Sequence, residues 1–347
     1  MLRIVDIINN REKVIDGLKK KRLSNAEEII NSVLETDEKR RKTQSALDDT
    51  LNQSNTLSRQ IGALMKEGKK EEAEAVKTQS ADLKAKSKDL QDELNILEDK
   101  LRELLYTIPN VPHASVPVGV SAEDNEVITS YGELPKLSEK ALPHWELIEK
   151  YDIIDFELGN KLTGAGFPVY KGKGAKLQRA LINFFLDEAE NAGYMEIQPP
   201  IVINSDSGYG TGQLPDKEGQ MYGIVDSDYF LIPTAEVPIT NIYRDVILSD
   251  AELPVKNVGY TPCFRREAGS WGSHVRGLNR LHQFDKVELV KFVSPETSKQ
   301  EHESLIQTAA NVLERLEIPY RLVQMCTGDL SFVAANKVDV EAWAPGC

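Results

Sequence analysis

The chain has 347 residues, with 42 Lys+Arg against 55 Asp+Glu, a formal net charge of -13 and a mean hydropathy of -0.38. No apolar run reaches the roughly 18 residues that a membrane helix needs, and Met1-Leu2-Arg3-Ile4-Val5-Asp6 lacks the apolar core of a signal peptide. Cys263, Cys326 and Cys347 have no metal-ligand spacing and cannot all pair, so a reducing cytoplasm is the expected compartment and each thiol reads as a small buried hydrophobe.

Charge is not spread evenly. Residues 1–110 hold 21 basic and 21 acidic groups, whereas residues 111–347 hold 21 and 34, so the whole deficit lies in the second part. An acidic chain repels nucleic acid as a whole. Its first segment does not, and charge there permits RNA binding without establishing it.

That first segment reads as a helical hairpin. From Ala73 the apolar or small positions run Ala73, Val76, Ser80, Leu83, Ser87, Leu90, Leu94, Leu97, Leu101 and Leu104, in the alternating steps of three and four that mark a left-handed coiled coil. An earlier stretch keeps that spacing through Ala26, Ile30, Val33, Asp37, Arg40, Gln44, Leu47, Leu51, Ser54, Ser58, Ile61 and Met65, with polar residues at several seam positions. Lys66-Glu67-Gly68-Lys69-Lys70 is the turn, and Pro109 and Pro112 stop the second helix. Two helices of about 40 residues would reach roughly 60 Å at 1.5 Å per residue. A coiled coil is as often a spacer or a dimerisation device as a binding arm. The short turn favours pairing within one chain.

A Pro-, Gly- and Ser-rich stretch over about 109–140 reads as a linker. Beyond it the chain becomes α+β. Lys176–Glu188 is an amphipathic helix leading into Gly193–Gln198, a strand ended by Pro199-Pro200. Thr163-Gly164-Ala165-Gly166-Phe167-Pro168 and Gly210-Thr211-Gly212-Gln213-Leu214-Pro215 read as loops. In Thr234-Ala235-Glu236, extended backbone would set Thr234 and Glu236 on one face.

The densest chemistry follows, in Cys263-Phe264-Arg265-Arg266-Glu267-Ala268-Gly269-Ser270 and Gly277-Leu278-Asn279-Arg280-Leu281-His282-Gln283-Phe284-Asp285-Lys286-Val287-Glu288. These read as two strands joined by a loop, with Phe284, Lys286 and Glu288 on one face because side chains alternate along a strand. A zwitterionic amino acid needs an anion for its ammonium and a cation for its carboxylate, and Glu236 and Arg265 supply those signs. The competing structural reading is a salt-bridged hairpin, with Arg265–Glu267 and Arg280–Glu288 paired across the sheet. His282 reads as structural, and His113, His144, His274 and His302 form no ligand pattern.

Taken as a whole, the run from Cys263 to Glu288 resembles motif 2 of the class II aminoacyl-tRNA synthetases, in the version carried by seryl-tRNA synthetases. The helix, strand and prolines of 176–200 resemble motif 1, the family's dimerisation element, and Thr234-Ala235-Glu236 resembles its serine-recognition element. Thr163–Pro168 and Gly210–Pro215 also match, the second as an active-site loop. The resemblance covers essentially the whole chain. It implies an N-terminal tRNA-binding arm over 1–108 (coiled coil about 26–105), the linker 109–140, and a class II catalytic domain of antiparallel sheet over 141–347.

The activity so implied is that of a serine–tRNA ligase. L-serine is activated with ATP to seryl-adenylate and passed to tRNA(Ser), and to tRNA(Sec) where one exists. By resemblance the serine site is Thr234, Ala235, Glu236, Arg265 and Glu288. The ATP site is Arg265, Arg266, Glu267, Arg280 and Phe284, with Arg265 on the α-phosphate, Glu267 on the adenine edge, Phe284 stacking adenine and Arg280 at the γ-phosphate. Mg2+ would bridge the phosphates, although no metal ligands are identified within the chain. The family is a homodimer whose arm grips the long variable arm of the tRNA. Candidate contacts are Lys39, Arg40, Arg41, Lys42, Lys66, Lys69, Lys70 and Lys77.

Two departures stand out. The chain stops at Trp343-Ala344-Pro345-Gly346-Cys347, where the family continues with a Glu-Val-Ser-Ser-like strand and motif 3, so the 347-residue chain is expected to activate serine poorly. The motif 2 loop reads Trp271-Gly272-Ser273-His274-Val275-Arg276, with His-Val where an acidic-Thr pair is common. Alternatives are a ligase acting on a carrier protein, against which the long arm argues, and a non-catalytic RNA-binding or scaffolding homologue.

Overall fold

A computed structural model describes residues 2–267 and 276–345; residues 268–275, which include most of the variant loop and His274, and Cys347 lie outside the described residues. The chain forms two compact units, the described residues of 1–124 with 326–336, and those of 125–325 with 337–347.

The first unit is helical. α1 (Ile4–Asn9) and α2 (Arg11–Lys20) precede two long helices, α3 (Ala26–Lys66) and α4 (Lys70–Tyr106), which pack against each other along their length. Each long helix opens on a pair of glutamates, Glu27-Glu28 and Glu71-Glu72, which complement the positive end of the helix dipole. Gly68, at φ 78°, makes the reversal between them in the left-handed region that glycine reaches without a Cβ penalty. At the base of the hairpin, Ile7, Leu18, Ala26, Ile30, Val33, Leu101 and Leu105 form one apolar core.

Every seam position expected in α4 is buried or half-buried. In α3 the expectation holds at Ala26, Ile30, Val33, Asp37, Arg40, Gln44, Leu47, Ser54 and Ile61, and fails by one residue at Leu51, Ser58 and Met65, which are exposed while Thr50, Leu57 and Leu64 turn inward. Both phases keep steps of three and four. The observed one brings Thr50, Leu57 and Leu64 to the seam in place of Leu51, Ser58 and Met65. Asp37, 2% exposed, is held by Arg40 and Arg41 at 2.9 Å each, so these two candidate RNA contacts are engaged within the helix. Lys42, Lys69 and Lys77 likewise pair with Glu38, Glu67 and Glu74.

Residues 326–336 join this unit by hydrogen bonds rather than by apolar packing. The Lys21 ammonium donates to Ser331 O and Ala334 O at 2.7 Å each and to Phe332 O at 3.2 Å. Burial pushes Lys21 down to about 8, so the group is still mostly charged at neutral pH and its N–H groups keep donating to those carbonyls. The backbone N–H groups of Asn110 and His113 donate to Phe332 O and Ala335 O.

The second unit is α+β. Inside the stretch expected as a linker lies β1 (Glu126–Tyr131), a wholly exposed strand that pairs antiparallel with a partner almost 200 residues later in the chain. Next come α5 (His144–Lys150), β2 (Ile154–Asp155), α6 (Phe156–Leu162), β3 (Val169–Tyr170), α7 (Gly172–Asn191) and β4 (Met195–Glu196). The strand expected over 193–198 is therefore two residues long, and it runs parallel to its neighbour. β5 (Val202–Asn204), α8 (Ser205–Gly210), β6 (Tyr222–Gly223), β7 (Tyr229–Leu231) and α9 (Glu236–Asn241) lead to β8 (Val255–Phe264) and β9 (Gln283–Phe292). After α10 (Ser298–Arg315), β10 (Tyr320–Gln324) and β11 (Val338–Ala342) complete the sheet begun by β1.

The site is built on β8 and β9, an antiparallel pair in register from Val255↔Phe292 to Phe264↔Gln283. One face of the pair is apolar: Val258, Val287 and Leu289 pack with Leu186 and Ala189 of α7 and with Tyr194. Tyr260 on that face donates to Asp285 at 2.7 Å, and burial, with Asp285 second, pushes its phenol up to about 12. The opposite face carries the chemistry.

Candidate functional site

Strand alternation sets Phe284, Lys286 and Glu288 of β9 beside Cys263, Thr261 and Gly259 of β8, their register partners. Cys263 and Thr261 are buried and line the floor; burial pushes the Cys263 thiol up, which keeps it neutral and inert. Cys326, the other described cysteine, is also buried and unbridged.

The segment before α9 closes over this face, tied to it by Phe264 N donating to Ile232 O at 2.8 Å. Thr234 and Glu236 are not on extended backbone. Glu236 is the first residue of α9, its N–H donating to Thr234 Oγ1 at 3.2 Å. A helical start serves the same end, because the turn leaves both side chains directed at β9. Thr234 Oγ1 donates to Glu288 Oε2 at 2.7 Å and accepts from Lys286 Nζ at 2.7 Å, and Lys286 also pairs with Glu288. Ala235 is fully buried and contributes packing.

Glu236 faces a mixed field. Burial raises its carboxyl above the usual range, Glu288 raises it further, and Lys286 and Arg265 pull it back. The pocket thus sets two carboxylates against two cations. Arg265 is fixed by three contacts: its N–H donates to His282 O at 2.9 Å, its Nε to Pro233 O at 3.2 Å, and its guanidinium lies 5.1 Å from the Phe284 ring centroid.

Glu267 and Arg280 form a second pair, with Glu267 12% and Arg280 48% exposed. The cross-sheet pairings of a merely structural hairpin, Arg265–Glu267 and Arg280–Glu288, are not the ones adopted. Glu267 has φ 47°, and Gln220 steadies this turn twice, taking Arg266 N on its backbone carbonyl at 2.9 Å and Glu267 N on Oε1 at 3.0 Å. Asp216 in turn accepts from the N–H groups of Gln220 and Met221 at 2.9 Å each. The Arg266 side chain is exposed beside them.

His282 is structural. Its ring stacks on Phe167 at 5.4 Å, its Nδ1 meets Tyr222 Oη at 2.9 Å, and its N–H donates to Gly166 O. Gly166 has φ 82°, and a Cβ there would sit 2.3 Å from the imidazole, so the Thr163–Pro168 loop exists to seat this histidine. At the far end of the loop that follows Glu267, Leu278 N donates to His144 Nε2 at 2.9 Å and the Arg276 guanidinium lies 4.9 Å over Trp145.

The structure therefore brings Thr234, Glu236, Arg265, Phe284 and Glu288 into one cluster and Glu267 with Arg280 into another. Sequence reasoning missed Lys286, Gln220 and Asp216 as members. Lys286 could have been found from its place between Phe284 and Glu288; the other two carry no local signal. Among the described residues no cluster of three or more His, Cys, Asp or Glu side chains could hold a metal ion.

Comparisons with known proteins give the chain's family and fold. Residues 1–112 match the family described as the seryl-tRNA synthetase N-terminal domain, and residues 223–347 match the tRNA synthetase class II core domain (G, H, P, S and T). The chain is 48% identical to a serine–tRNA ligase of Salinibacter ruber over 344 residues, covering 99% of this chain and 80% of that protein. It superposes on the seryl-tRNA synthetase of Pyrococcus horikoshii complexed with ATP with a TM-score of 0.88 at 33% identity, over 100% of this chain and 81% of that one. The cytoplasmic serine–tRNA ligase of Naegleria fowleri in complex with AMP gives 0.81 at 25% identity, over 97% and 80%.

Proposed function

The chain belongs to the seryl-tRNA synthetase family of ligases, and from that premise we propose how its residues divide the work. Glu236 and Glu288 take the ammonium and the hydroxyl of L-serine, with Thr234 fixing both, and Arg265 takes the serine carboxylate and the α-phosphate of ATP. Phe284 stacks the adenine, Glu267 meets its edge, and Arg280 with Arg266 holds the polyphosphate tail. The serine carboxylate attacks the α-phosphorus and pyrophosphate leaves, with no side chain transferring a proton. Catalysis is then positioning plus neutralisation of spread negative charge. The observation that carries this reading is the convergence of Thr234, Glu236, Arg265, Phe284 and Glu288 on one face of the β8–β9 pair.

Mg2+ would lower the charge on ATP when bound, and the phosphates are assigned to Arg265, Arg266 and Arg280. The seryl group passes to tRNA(Ser), and to tRNA(Sec) where present, held by the α3–α4 arm. A second copy of the chain covers α7 and β4, where Leu177 and Met195 are exposed by 57% and 58%. Among the described residues no helix is long and apolar enough to cross a membrane. The cytoplasm is the proposed compartment.

Glu236→Gln tests the pocket in two ways. Loss of the charged grip should weaken a non-hydrolysable seryl-adenylate analogue, seryl-sulfamoyl-adenosine, by about 100-fold in calorimetry, the scale of one charge-assisted hydrogen bond, and leave ATP binding intact. The sign of the stability effect also follows. The folded carboxyl keeps its proton to higher pH than the unfolded one, so its contribution is present at low pH and is lost as pH rises through the ordinary value to the raised one. Glutamine does not titrate, so thermal midpoints of variant and parent should diverge in the variant's favour between pH 4.5 and pH 8. A difference that is the same at both pH values contradicts a raised carboxyl.

A further inference from the structure

We propose that Lys286 is the positioning residue of the serine pocket, its ammonium locking Thr234 and Glu288 in the orientation that receives the amino acid and balancing the Glu236–Glu288 carboxylate pair. The inference deepens the serine reading above and rests on it. The first ground is hydrogen-bond direction. An ammonium only donates, so the bond from Lys286 Nζ to Thr234 Oγ1 must occupy a lone pair of that oxygen. The N–H of Glu236 is a second donor to the same oxygen. With both acceptor positions filled, the one hydroxyl proton of Thr234 is committed to Glu288 Oε2. Thr234 is 4% exposed, so water does not compete for these positions. Glu288 is thereby held through Oε2, and its other oxygen is left for a donor such as the substrate hydroxyl.

The second ground is charge. The groups facing Glu236 are Lys286 and Glu288 from β9, Arg265 from just beyond β8, and Thr234 from its own segment. Arg265 also acts on Glu236, but its guanidinium, held by Pro233 O and the Phe284 face, is assigned to the serine carboxylate and the α-phosphate. Lys286 is the cation that directly contacts a carboxylate of the pair. Its removal leaves two half-buried like charges with Arg265 as the remaining cation, which favours proton uptake by one of them. A protonated carboxyl cannot grip an ammonium.

The test is calorimetric titration of seryl-sulfamoyl-adenosine, and separately of ATP, into the parent chain, Lys286→Met and Lys286→Arg at pH 6.5, 7.5 and 8.5. Met should weaken the seryl compound by about 100-fold at pH 6.5, with roughly tenfold recovered by pH 8.5 as the carboxylates ionise. The parent should change little over that range. Arg, which restores the charge without the compact point geometry, should recover affinity to within about tenfold of the parent. ATP affinity should stay within about threefold throughout, since the lysine is assigned no phosphate contact. Seryl-compound affinity for Met within threefold of the parent at all three pH values overturns the proposal. So does a deficit independent of pH that extends equally to ATP and follows a fall in thermal midpoint, because that describes a brace. A folded parent chain that binds ATP but not the seryl compound overturns the serine reading itself.

Discussion

Arg265→Ala should weaken binding of seryl-sulfamoyl-adenosine by about 100- to 1,000-fold, the range found on removing one preorganised donor from a charge-stabilising site. The guanidinium is proposed to meet the amino-acid and nucleotide halves of the ligand at once. It is also held before any ligand arrives, by Pro233 O and the Phe284 ring, while the backbone N–H of Arg265 donates to the His282 carbonyl. Because it is already ordered, little freedom is lost on binding, and nothing nearby replaces it. Arg265→Lys should recover less than a tenth of the loss: an ammonium keeps the charge but neither forks between two anions nor stacks on a ring. Calorimetry with both variants checks this, with thermal midpoints alongside. An alanine variant within threefold of the parent would remove Arg265 from the ligand.

The second large effect concerns RNA. Replacing residues 50–86 by a short Gly-containing turn should weaken binding of tRNA(Ser) by at least about 100-fold at moderate salt, the sum of a few lost phosphate contacts, and flatten the salt dependence. That excision spares Ala26, Ile30, Val33, Leu101 and Leu105, the core at the base of the hairpin, so the first unit keeps its fold. Binding of the seryl compound should be unchanged. Filter binding of labelled tRNA across a salt series reads the effect. Undiminished affinity would return the arm to the role of spacer. Arg40 and Arg41 lie outside the excision and are tied to Asp37, so the effect is assigned to the distal arm.

These tests also mark how far the sequence can be read. The arm was legible because its periodicity is physical: steps of three and four in α4 coincide with the buried positions from Ala73 to Leu104. The phase of α3 was legible from Ala26 to Leu47 and at Ser54 and Ile61, but not at Leu51, Ser58 and Met65, where polar seam residues let two registers look alike and Thr50, Leu57 and Leu64 turn inward instead. Strand β1 escaped because all six of its residues are exposed and its partner, β10, is remote in sequence. Alternation alone set Phe284, Lys286 and Glu288 on one face. It could not show that Lys286 ties Thr234 to Glu288, a contact spanning 52 residues, nor that Gln220 supports the turn at Glu267. Thr234-Ala235-Glu236, expected on an extended backbone, lies at a helix start, yet Thr234 and Glu236 still share one pocket with Glu288. The side chains were legible there and the backbone was not.

The claim on which the rest depends is that the polar groups beneath α9 are built for a hydroxylated amino acid joined to adenylate. The most direct measurement compares seryl-sulfamoyl-adenosine with its alanyl counterpart, which differs by that one hydroxyl, in calorimetric titration of this chain. A pocket that hydrogen-bonds the hydroxyl through Glu288 should prefer the seryl compound by about 1,000-fold or more, because the alanyl compound leaves buried polar groups unpaired. Equal affinity for the two would contradict the account.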